Sequence, residues 1–74
     1  MKSIAQLNGR ALSGSKCWYA VSIDRESFDK VYRWVFDTYS VHAYRGGTWL
    51  CWDDISEIWF EHEKDAMFCV MKWT

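Results

Sequence analysis

The side chains able to do chemistry in this chain are Cys17, Cys51, Cys69, His42, His62 and the adjacent pair Asp53 and Asp54. Thiols and imidazoles suggest zinc or a thiol nucleophile, and neighbouring carboxylates suggest a cation or an acid–base pair. Zinc needs three or four ligands to converge, and no pair here has the short CxxC or HxxxH spacing that prepares a site. Neither histidine is flanked by a motif that would orient it toward a thiol. Asp53-Asp54 reads as a solvated corner, and Gly46-Gly47 lacks the Lys-Ser/Thr and helix of a phosphate loop. The expectation is a protein without catalysis, metal or cofactor.

The aromatic residues carry more information. Six tryptophans in 74 residues, with no proline, exceed what a fold this short buries completely. Clustered outward aromatic surface marks contact with another molecule. The net charge of −1 supplies no global field to attract nucleic acid. Three cysteines, an odd number, do not read as a disulfide scaffold and fit free thiols in a cytoplasmic protein. No signal peptide is visible before Lys16, and no run approaches the ~20 apolar residues of a bilayer span.

These residues need elements to position them. Residues 1–16 read as a flexible N-terminal arm or one short element, with Ser13-Gly14-Ser15 as a joint, and 17–74 as a single domain. From Cys17 to Ile23, alternation puts Cys17, Tyr19, Val21 and Ile23 on one face of a central strand and Trp18, Ala20 and Ser22 on the other. Asp24 reads as an N-cap. Phe28, Val31, Tyr32, Val35, Phe36 and Tyr39 then form one helical stripe, with Trp34 on its flank. Gly46-Gly47 reads as a hairpin turn between Val41–Tyr44 and Thr48–Trp52. A further strand sets Ile58 and Phe60 against Glu57, Trp59 and Glu61. Glu63 to Asp65 opens a last helix, apolar around more than half its circumference. This order predicts an α+β two-layer sandwich of ferredoxin-like, split β-α-β type, an antiparallel sheet with two helices on one face.

The run Ile58-Trp59-Phe60-Glu61-His62-Glu63-Lys64-Asp65-Ala66-Met67-Phe68, closing with Met71-Lys72-Trp73, resembles the ending of small proteins of tailed bacteriophages. Their pattern is an aromatic strand, an acidic turn, Asp-Ala, an aromatic two positions on and a terminal Trp. Val70 stands where that pattern has a basic residue. The resemblance implies a compact phage-encoded α+β protein and no particular activity.

The expected function is therefore protein binding by an accessory protein that modulates or inhibits a host protein in the host cytoplasm. A homodimer is the self-complementary form. The expected contact residues are Trp18, Tyr44, Arg45, Trp49 and Trp59 on an uncovered sheet face, with Trp34 as a lesser member. Trp52 and Trp73 are expected to close the core. The alternative is a single-stranded nucleic-acid binder stacking bases on the same aromatics, against which Asp53, Asp54, Glu57 and Glu61 would repel phosphate.

Overall fold

β1 (Ala5–Ser13) and β2 (Lys16–Ile23) open the chain as an antiparallel hairpin. α1 (Phe28–Tyr39) follows after a short 3-10 turn, then β3 (Trp49–Trp52), β4 (Glu57–Phe60) and α2 (Glu63–Lys72). The computed structural model describes residues 4–39 and 47–73. The expected strand at Val41–Tyr44 and the turn residue Gly46 lie outside them.

The flexible arm expected over residues 1–16 is corrected: most of it is the edge strand β1. The reason it escapes periodicity is a bulge. Ala5 and Leu7 pair with Ile23 and Val21, but the register slips between Leu7 and Gly9, so Arg10 and Leu12 face Tyr19 and Cys17. The helix-side positions thus run 5, 7, 10 and 12, and the one-residue insertion at Asn8 destroys a period-two count. Gly14-Ser15 is the turn itself, between the paired residues Ser13 and Lys16, with Gly14 at φ 63°. The strand's start is tied down on two sides: the Ile4 amide donates to the Trp73 carbonyl after α2 at 3.1 Å, and the Asp24 amide, just after β2, donates to the Ile4 carbonyl at 2.9 Å.

The four strands lie in the order β1-β2-β4-β3, each antiparallel to its neighbour. β2 and β3 both run against β4, which lies between them, so β2-α1-β3 is a split β-α-β unit. Among the described residues the element order is β-β-α-β-β-α, in which β1, an edge strand, precedes the split unit, whereas a ferredoxin-like chain runs β-α-β-β-α-β.

Both helices pack on the same sheet face. Val21, Ile23, Trp49, Ile58 and Phe60 meet Phe28, Val31 and Val35 of α1 and Ala66 and Cys69 of α2 in one buried cluster. The i, i+3, i+7 spacing of Phe28, Val31 and Val35 keeps them on one side of α1. The Arg25 Nη1 donates to the Asp53 carbonyl and, at 3.1 Å, to the Ser56 hydroxyl. This ties the approach to α1 onto the β3–β4 turn, where Ser56 takes φ 54°. Asp24 caps through its backbone alone, its carbonyl accepting from the Ser27 amide at 2.9 Å.

The bulge yields a direct test. A Cβ on Gly9 would meet nothing within 4 Å, yet its φ of 117° disfavours any side chain. Gly9→Ala should cost about 1–3 kcal/mol from backbone strain alone. Gly14→Ala, at φ 63° in equally open space, should cost only about 1–2 kcal/mol. Urea denaturation of the two variants measures the order; equal stability of Gly9→Ala and the unmutated protein would contradict the bulge.

Candidate functional site

Antiparallel partners share a sheet face, so the register sorts the tryptophans. Trp49 stands opposite Phe60 and Cys51 opposite Ile58, which places Trp49 under the helices. It is 0% exposed, with the rings of Tyr32 and Phe36 at 5.9 and 6.3 Å. The expectation that Trp49 lies on the uncovered face is therefore corrected. Trp52, expected in the core, takes that place, opposite Glu57 on the face turned from the helices. The two exchange roles because β3 is Trp-Leu-Cys-Trp, apolar throughout, and its own alternation has no phase.

Trp59 lies on the open face as its alternation predicts, half-buried, with its ring 5.0 Å from that of Trp52 and inclined at 49°. Its Nε1 donates to Glu57 Oε1 at 3.0 Å. Trp18 shares this face but is only 4% exposed. Lys16 lies over its ring at 5.9 Å and pairs with Glu61 at 3.6 Å. Trp34 is a wedge between the helices, its ring 5.5 Å from Phe68, 6.2 Å from Trp73 and 6.4 Å from Tyr39. Tyr44 and Arg45 lie outside the described residues.

Every indole is thus buried or half-buried: Trp34, Trp49, Trp52, Trp59 and Trp73 lie against other rings at tilted or edge-on angles, and Trp18 lies beneath Lys16. The exposed large apolar residues are different ones. Met67, Phe68 and Met71 project from α2, Phe36 from α1, Leu7 and Leu12 from β1, and Ile55 from the β3–β4 turn. None of these is among the contact residues expected from the sequence, although the apolar edges of the last helix suit contact with a second subunit. The signal available was the excess of apolar residues on α2, more than one helix side needs.

The thiols are arranged for packing. Burial pushes the Cys69 thiol up to about 12. Burial, then the nearby Asp53 and Asp29 carboxylates, push Cys51 up to about 11. Both remain protonated and poorly nucleophilic at neutral pH; Cys17 is exposed. Among the described residues no three His, Cys, Asp or Glu side chains gather as metal ligands, and no helix is long and apolar enough to cross a membrane. An open cleft lined by Tyr32, Arg33, Phe36 and Asp37 brings together no nucleophile and base. The chain matches no protein-family model, no curated protein and no solved structure.

Two outcomes follow from this placement. Trp49→Ala should lose about 3–5 kcal/mol of stability as a core truncation, and Trp52→Ala markedly less; urea denaturation gives both. The second concerns alkaline pH. The folded state raises Cys69 from 9.0 to about 12 and Tyr39, through burial first and Asp65 second, from 10.0 to about 12. Unfolding therefore releases protons in this range. The contribution of these groups to stability is complete below about pH 9 and is lost as pH rises toward 12. Urea midpoints across that window should fall, and less steeply in Cys69→Ala; parallel slopes would remove Cys69 as a cause.

Proposed function

We propose that this chain is a non-enzymatic protein-binding module that docks through the outer face of its helical layer. The observation that carries this reading is the grouping of Met67, Phe68 and Met71, which keep 40%, 51% and 71% of their surface exposed. They are one and four residues apart, so they occupy one side of α2. Trp34 continues the patch from α1 through its contact with Phe68. Flexible methionines beside aromatic rings adapt to a partner's shape, and grouped apolar surface of this kind marks a contact. Lys64 and Lys72 of the same helix are exposed beside it as a charged rim.

The C-terminal resemblance to tailed-phage proteins supports a host protein as that partner, met in the host cytoplasm and modulated or inhibited by being covered. A second copy docking on the same patch gives a homodimer. Nucleic-acid binding has less support. The sheet-face indoles share their surface with Glu57 and Glu61, and Lys16 beside them is engaged by Glu61. No described cation of that face is left to neutralise phosphate.

Phe68→Lys with Met71→Glu alters side chains that are half or more exposed and changes no member of the buried cluster, so it should leave the fold intact by circular dichroism. The expected result is loss of the proteins that the unmutated chain retains from bacterial lysate, or of any dimer seen in sedimentation. Identical retention and sedimentation by the two forms would show that this face is not the docking surface.

A further inference from the structure

The sheet face turned from the helices holds a polar cluster that helical docking leaves unused. Glu57 lies there between Ser22 of β2 and Trp52 of β3. Its Oε2 accepts from the Asn8 amide at 2.7 Å and from the Ser22 hydroxyl at 3.3 Å. Its Oε1 accepts from Trp59 Nε1 at 3.0 Å. A carboxylate has about four acceptor sites, so one remains, on Oε1. All three donors are neutral, and among the described residues no lysine or arginine pairs with Glu57. Lys16, on the same face, is held by Glu61 instead.

The backbone departs from regular pairing to complete this cluster. Asn8 is the extra residue of the β1 bulge. It stands two strands from Glu57, about 10 Å across a sheet, and its side chain spans Ser22 to reach the carboxylate. Bulges commonly re-aim a side chain toward a functional position. Beside the carboxylate, the tilted pair Trp52 and Trp59 forms a half-buried aromatic ledge.

We infer that the Asn8–Glu57–Trp59–Trp52 cluster is a binding site for a guanidinium group, an arginine side chain presented by a partner protein. A guanidinium is planar and stacks on an indole face. One N–H can use the open position on Glu57 Oε1, and a second the Asn8 amide oxygen, which has no partner among the described residues. The positive charge compensates a carboxylate that has only neutral donors. A lysine ammonium has the charge but no plane to stack. A quaternary ammonium has no N–H for Oε1. A guanine nucleotide has plane and N–H groups but brings phosphate toward Glu57 and Glu61. This site is separate from the helical patch and stands or falls independently of it.

The test uses the ¹⁵N-labelled chain and blocked arginine (N-acetyl-arginine amide), with blocked lysine, tetramethylammonium and guanosine monophosphate as parallel probes. Blocked arginine should shift the indole N–H signals of Trp59 and Trp52 saturably, at lower concentration than any other probe. Glu57→Gln should weaken that response about tenfold or more, the loss of a charged hydrogen bond. Phe68→Lys should leave it unchanged, which separates this site from the helical surface. Equal responses to arginine and lysine, stronger binding of the nucleotide, or an undiminished Glu57→Gln response would each overturn the inference. Should Glu57→Gln unfold, the arginine-over-lysine preference of the unmutated chain decides by itself.

Discussion

In the ladder between β3 and β4, Trp49 stands opposite Phe60, and every other allocation of aromatic surface follows from that register. It puts one indole beneath α1, where Tyr32 and Phe36 close over it, and leaves Trp52 beside Trp59 on the far face. A slip of one residue would reverse both assignments at once, since the side-chain period of a strand is two. The core would lose Trp49 with its contacts to Tyr32 and Phe36, and the open face would lose the Trp52–Trp59 pair. β4 is held in turn by β2, through Tyr19 opposite Phe60 and Val21 opposite Ile58. The central pair thus anchors the edge strand whose phase matters most.

Two surfaces of different chemistry result. The outer side of the helical layer is apolar and pliable, built from methionines and Phe68 around the wedge of Trp34. The opposite sheet face is aromatic but lined with polar groups held by defined hydrogen bonds. The first suits broad contact with a shaped surface, the second recognition of one charged group. They lie on opposite layers of the sandwich, so occupying one does not obstruct the other.

Much of the scaffold was legible in local spacing. Phe28, Val31 and Val35 mark α1 because a helix brings residues three and four apart to one side. Ile58 and Phe60 mark the buried face of β4 because a strand brings alternate residues together. The apolar character of both faces of β2 announces a central strand, which it is. β1 was hidden by its bulge, where Asn8 shifts the alternation by one residue. The candidate site was less legible. Alternation in β4 puts Trp59 on the open face, whereas Trp49 and Trp52 sit in a strand of four apolar residues whose own pattern favours neither side. The aromatic excess does not translate into exposed indole: the indoles are covered by other rings or by Lys16, and the large apolar residues left exposed are leucine, isoleucine, methionine and phenylalanine.

By itself, the sequence determined the chemistry available, the helices and the residues that share a side within each strand with regular alternation. It did so because those properties depend on neighbours within one or two turns or a few strand positions. The tertiary structure alone decided which face the helices cover, which indole lies beneath them and what surrounds Glu57. Asn8 and Ser22 reach that carboxylate from 49 and 35 residues away along the chain. Contacts of that range are created by strand order and register, which local periodicity does not encode.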